Sequence, residues 1–365
     1  MRKPGAVGRM RMMNRRSFVR GLAAATAATH ASVRFTHALE QRESLVMDAM
    51  GELRPEYDDA LLRDMLGSGL DSITVTLCDP KFEGAAALET AVDGLLDYDR
   101  LIASRPRQLL KATNVADVDR ARREGKLAVF YLFQNTTQFG DDLDRVDLFY
   151  RLGLRSCQLT YNDRNLAGAG CRATGRLTEF GRRLIGRLNE RRMLLDLSHV
   201  NMETMADAIA AARAPAIISH TGCAAMHEHV RNTTDANLRA LADGGGVVGI
   251  CQIRPFITEK KTDNLEPYFE HIDHAVRVAG IEHVCIGSDR DHRVIVMTPE
   301  YIAELKREEG SQVADADLPL FIEALNGPRR MEVVQAGLEK RGYAAADVDR
   351  IMGGNLYRLY RDVIG

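Results

Sequence analysis

The chain has 365 residues, 45% of them hydrophobic and 27% charged, with a formal net charge of −2, a composition that supports a sizeable globular core. A near-neutral balance without a basic stripe gives no footing for nucleic acid, and no apolar stretch approaches the roughly 20 residues needed to span a bilayer. The 6 cysteines form no C-x-x-C pair, and Cys157, Cys251 and Cys285 lie inside apolar strand-like runs, where a thiol is a small buried hydrophobe.

At the amino terminus, Asn14-Arg15-Arg16-Ser17-Phe18-Val19-Arg20 precedes an alanine-rich run over 21–28. Paired arginines ahead of a modest apolar segment resemble a twin-arginine export signal. Residues 1–38 are therefore read as a leader, with a periplasmic destination expected, and residues 39–365 as the folded domain. Strand-like runs follow at 44–49, 72–77, 127–133, 155–160, 193–197, 216–219, 247–251 and 284–287. Most are continuously apolar, as in strands buried on both faces. Helical patterns over 58–66, 141–152, 177–192, 202–212, 235–242 and 268–279 separate them. Eight strands alternating with helices predict a (β/α)8 barrel. An open doubly wound sheet is the competitor, but no glycine-rich phosphate fingerprint follows the first strand. Helical segments over 299–308, 318–325, 330–340 and 345–351 are expected to cap the same domain.

Barrels place their chemistry at the carboxyl ends of the strands. Two such ends close on histidine, Asp196-Leu197-Ser198-His199 and Ile217-Ile218-Ser219-His220, with one crossover helix between them. Two imidazoles at one sheet edge favour a metal site, since imidazole is the commonest side-chain ligand. A hydrolytic metal takes about three protein ligands and keeps a position for water. Gln134 ends strand three, Tyr161 and Asn162 follow strand four, and Asp289 ends strand eight, where it can accept a proton or act as a ligand. Asp48 and Asp196, within strands, are expected to hydrogen-bond neighbouring backbone. Arg231 opens a turn ahead of a helix that Thr234 or Asp235 can cap, in the loop after His220. A guanidinium there suits a substrate carboxylate.

LDLSH, IISHT, the Arg231-Asn232 turn, IGSD ending at Asp289 and the late Gly353-Gly354-Asn355-Leu356 occur in order over about 44–360. Together they resemble the membrane dipeptidase (renal dipeptidase, peptidase M19) family. The resemblance implies a barrel that cleaves dipeptides with two zinc ions bridged by a glutamate and a water or hydroxide. It assigns His199 and His220 to one zinc site, Asp289 to the acidic position after strand eight and Arg231 to the substrate carboxylate. Three positions depart from that pattern. The family's His-x-Asp on strand one aligns with Met50-Gly51-Glu52, its bridging glutamate with Gln134, and its substrate-contacting histidine with Tyr161.

The reading is an exported hydrolase of dipeptidase type, in which metal-activated water attacks an amide bond of a dipeptide or small carboxylate-bearing amide. One divalent metal ion, zinc by resemblance, is expected on His199 and His220, with Gln134 or Asp289 completing the shell and Glu52 a further candidate ligand. Asp289 moves the proton, Arg231 holds a carboxylate and Tyr161 reshapes the substrate pocket. A homodimer is compatible with this reading. The alternatives left open are a barrel that lost catalysis and acts as a binding protein, and an amidohydrolase-like lactonase or deaminase, because fold alone does not fix function.

Overall fold

Among the residues described by the computed structural model, 44–309 and 313–365, nine strands pair in parallel. They are β1 (Val46–Asp48), β2 (Leu70–Thr76), β3 (Leu109–Lys111), β4 (Leu127–Phe133), β5 (Leu154–Gln158), β6 (Leu194–Asp196), β7 (Ile217–Thr221), β8 (Val247–Ile250) and β9 (Val284–Ile286). The order runs β2-β1-β9-β8-β7-β6-β5-β4, and β2 pairs with β4 to close a ring of eight. This is the expected (β/α)8 barrel, and from Ser44 onward the chain forms one compact unit. The export signal expected over 1–38 lies outside the described residues.

Strand β3 corrects the count of eight. It pairs with β4 at 127–129, while β5 pairs with the same strand at 131–133 and β2 occupies the opposite edge. The extra strand thus fills the part of β4's edge that β5 does not reach. Three residues are too few for a hydrophobic period to show in sequence. A second correction concerns 318–325, expected as a helix. Only short 3-10 turns form nearby, at Asp315–Asp317 and Glu323–Leu325. Pro319 lacks an N–H and disfavours the helical conformation of the residue before it.

Nearly every strand residue is buried, and the alternation of side chains sorts the core into two layers. Val46, Val129, Tyr131, Leu195, Ile218, Val248 and Ile286 face outward onto the surrounding helices. Met47, Ala128, Phe130, Leu194, Ile217, Val247 and Cys285 face the lumen, where the last helix, Asn355–Val363, adds Leu356, Leu359, Tyr360 and Val363. These lumen residues lie early in their strands, so the helix seals the end at which the strands begin. Tyr360 meets the Phe130 ring edge-on at 4.9 Å, and its hydroxyl lies 2.5 Å from Thr74 Oγ1. Gln134 falls two residues beyond Leu132 on the file that carries Ala128 and Phe130, which is why it reaches the opposite, open end.

The loops at that open end are tied down by buried polar groups. His271, on the helix Glu266–Ala279, accepts from the Cys223 N–H at 2.8 Å through Nδ1, and its Nε2–H donates to the Ile257 carbonyl at 3.1 Å. Burial lowers its pKa from 6.5 to about 4. The unfolded imidazole protonates near 6.5 and the folded one only near 4, so this contribution is complete above pH 6.5 and is lost as pH falls towards 4. At about 1.4 kcal/mol per unit, the loss is on the order of 3 kcal/mol. Denaturant unfolding at pH 7.5 and pH 4.5 checks this: wild type should lose more stability than His271→Gln, and equal losses would rule out His271 as the source.

Candidate active site

His199 and His220 stand at the centre of the open end, with their Nε2 atoms 2.9 Å apart. Local backbone brings them there. His199 follows β6 with φ of +67°, which swings its side chain over the lumen. The register of β7 on β8 shifts between Ile218 and Thr221, a bulge of the kind that redirects side chains. Two glycines make room for it. A Cβ on Gly287 would lie 1.7 Å from the Ser219 carbonyl oxygen and 3.4 Å from His220 Cα, and one on Gly249 would lie 2.0 Å from that oxygen.

Second-layer bonds fix both tautomers. His199 Nδ1 lies 2.7 Å from Asn162 Oδ1, and an amide oxygen only accepts, so the hydrogen is on Nδ1. Ser219 gives its one hydroxyl hydrogen to Asp196 Oδ2 at 2.5 Å and therefore accepts from His220 Nδ1 at 2.8 Å. Both Nε2 atoms are left as bare acceptors. Burial, reinforced by the charge of Arg231, holds both imidazoles neutral, well below the usual histidine range. Facing lone pairs at this distance repel unless a cation joins them. Two nitrogens on one tetrahedral zinc, at about 2.0–2.1 Å each, stand about 3.3 Å apart, so the pair is within a few tenths of an ångström of that spacing.

Asp196 and Asp48 do more than bond neighbouring backbone. Asp196 also accepts from the Ser198 and Ser219 N–H groups and holds Ser219 beneath His220. Asp48 accepts from the Ser288 N–H at 2.8 Å and hydroxyl at 2.5 Å, pinning the Gly-Ser-Asp turn to β1. Burial raises both carboxyl groups, that of Asp48 to about 6. Asp289 leaves this turn with φ of +54°, and its N–H donates to the Met50 carbonyl at 2.8 Å.

A cavity of about 960 Å³ opens over the pair, lined by Met50, Glu52, Gln134, Tyr161, His199, Arg231 and Asp289 among others. The residues singled out in sequence therefore share one mouth, with His220 fully buried against His199. Tyr161 stacks on the His199 ring at 4.3 Å. Gln134 is buried, and its amide has no hydrogen-bond partner among the described residues. Glu52, the further candidate ligand, lines the same cavity. Its carboxylate accepts from Arg54 Nε at 2.5 Å, a charge-assisted bond. Among the described residues no three His, Cys, Asp or Glu side chains converge to hold a metal. Two imidazoles with a neutral amide fit one divalent ion.

Arg231 follows β7 by way of the Thr221–Thr233 turn, and Thr234 caps the next helix, Asp235–Asp243. Its guanidinium lies over the Phe256 ring at 5.1 Å, is 7% exposed, and has no hydrogen bond or ion pair among the described residues. The sequence reading did not single out Asn162 or Ser219 as orienting groups. The repeated Ser-His was the signal for Ser219; nothing local announces Asn162, which lies 37 residues from its histidine.

A closed parallel barrel with its polar residues gathered where the strands end defines a TIM-barrel protein of metallo-dependent hydrolase type. The chain belongs to the membrane dipeptidase family (peptidase family M19), whose profile matches residues 37–308. It is 34% identical over 206 residues to the fission yeast (Schizosaccharomyces pombe) protein named "Uncharacterized dipeptidase C965.12", covering 54% of this chain and 50% of that one. It is 29% identical over 253 residues to "Dipeptidase tcpJ" of Claviceps purpurea, covering 68% and 53%. The match thus spans about half the length of these relatives. Among solved structures, an amidohydrolase from Pseudomonas aeruginosa superposes with a TM-score of 0.80 at 26% identity, over 88% of this chain and 97% of that one.

Proposed function

We propose that this protein hydrolyses the amide bond of a dipeptide or a similarly small carboxylate-bearing amide, using one divalent ion, zinc by family resemblance, at His199 and His220. The observation that carries this reading is Arg231, a deeply buried guanidinium with no hydrogen bond or ion pair among the described residues, on the cavity that the imidazole pair faces. A buried cation with no anion is costly, and a substrate carboxylate offsets that cost through paired charge-assisted bonds. The names of the relatives, two dipeptidases and an amidohydrolase, support the same chemistry. A bound divalent ion supplies Lewis acidity, polarising a carbonyl and making water acidic near neutral pH. Arg231 then fixes the substrate's carboxylate, Gln134 presents a neutral donor to the same space, and Asp289 takes a proton from water and returns it to the leaving amine. Tyr161, flat on His199, shields one side of the reacting space and sets its width. Export through Arg15-Arg16 rests on the sequence alone.

The test is Arg231→Met against Arg231→Lys in hydrolysis of a simple dipeptide. Loss of a charge-assisted pair is worth roughly 1.5–3 kcal/mol, so KM for Arg231→Met should rise about 10-fold to 100-fold, with Arg231→Lys between it and wild type. No hydrolysis by metal-replete wild type, or an unchanged KM in Arg231→Met, would overturn the proposal.

A further inference from the structure

A second buried arginine lines the same cavity. Arg290 follows Asp289 directly, is 5% exposed, and has no ion pair among the described residues. Its guanidinium makes one hydrogen bond, a long one of 3.5 Å from Nη1 to the Leu320 carbonyl, and its Nε is buried without a partner. It otherwise rests over the Phe321 ring at 5.3 Å.

Three neighbouring acids are occupied elsewhere. Asp291 accepts from the Tyr57 hydroxyl and from Arg293, and Glu52 accepts from Arg54. Asp48 is held by Ser288. A third buried arginine, Arg330, donates towards His292 and to the Asp291 carbonyl. Its pKa is pushed down to about 10, first by burial and then by repulsion from Arg290. Arg290 lines the same cavity as Arg231. Two guanidinium groups, each deeply buried and without an ion pair among the described residues, thus line one cavity.

We propose that the cavity takes a substrate with two anionic groups, an amide of an acidic amino acid carrying two carboxylates, in which Arg290 holds the second. This rests on the reading of Arg231 as the holder of the first. Buried arginine is the residue suited to such a role because its planar fork matches a carboxylate with two parallel bonds and stays charged when desolvated. The aromatic ring of Phe321 keeps the fork in place without neutralising it.

The experiment compares isosteric dipeptides on the full purified chain: alanyl-aspartate against alanyl-asparagine, and glutamyl-alanine against glutaminyl-alanine. KM is read from initial rates, and Kd by calorimetry where a peptide is not turned over. The acidic member of at least one pair should be favoured about 10-fold to 100-fold, the range for a charge-assisted pair. Arg290→Gln should reduce that preference to within about threefold of unity, and Arg290→Lys should keep part of it. The wild-type comparison needs no variant, so a poorly folding variant does not remove the test. Equal treatment of acid and amide by wild type, or a preference surviving in Arg290→Gln, would overturn the proposal. Turnover without preference leaves the hydrolase reading standing and sinks this one; preference in binding without turnover does the reverse. Binding of none of the four peptides sinks both.

Discussion

His220→Ala should lose most of its bound metal and fall by about 10³ in amide hydrolysis, while the barrel stays folded. Lewis-acid stabilisation by a bound ion amounts to several kcal/mol of barrier, and about 4 kcal/mol is a factor near 10³. The same outcome is expected for His199→Ala. Folding survives because the two side chains bond to Asn162 and Ser219 and face each other at the open end, outside the two apolar layers that hold the barrel. Ser219→Ala separates holding the ion from orienting its ligand. It removes the acceptor for His220 Nδ1 and leaves the imidazole in place, and such second-layer losses cost about 10-fold to 100-fold in metal affinity. Elemental analysis, circular dichroism and dipeptide turnover on the three variants make the check. Unaltered metal content in both alanine variants would mean that the ion, if any, binds elsewhere.

The combined change Met50→His, Glu52→Asp and Gln134→Glu should raise metal content from about one ion per chain towards two and improve turnover of a simple dipeptide. Two divalent ions about 3.5–4 Å apart repel by roughly 17–19 kcal/mol at an effective dielectric of about 20. Only anionic ligands between them offset that. Gln134 offers none and Met50 offers a thioether, a soft donor poorly matched to zinc beside oxygen ligands. The structure adds a reason for the change at 52. Glu52 is long enough to fold back onto Arg54, and aspartate, one methylene shorter, is drawn away from that pair. Gln134→Glu alone should strengthen the first ion without admitting a second. Two tightly held ions in wild type, or one in the triple variant, would show that the charge argument does not govern this site.

The relation of sequence to site divides along physical lines. Eight of the nine strands, most crossover helices and the two Ser-His ends are set by local pattern, because burial on both faces demands continuous apolar runs and a strand end needs no distant partner to be recognised. Gln134 and Arg231 were legible for the same reason: each is fixed to the open end by its position relative to a strand. The family pattern added the alignment that exposes Met50, Gln134 and Tyr161 as departures. What tertiary structure decided are pairings between residues remote in sequence. Asp48 reaches Ser288 across 240 positions, and Asn162 reaches His199 across 37. Glu52 accepts from Arg54, a partner that the motifs did not name. Arg290 came to lie without an anion, and Gly287 came to face the Ser219 carbonyl closely enough that no side chain fits. Period and composition determine which face of an element is buried. Which side chains meet at the end of a barrel is set by strand register and by backbone bulges, and those follow from the packing of the whole ring.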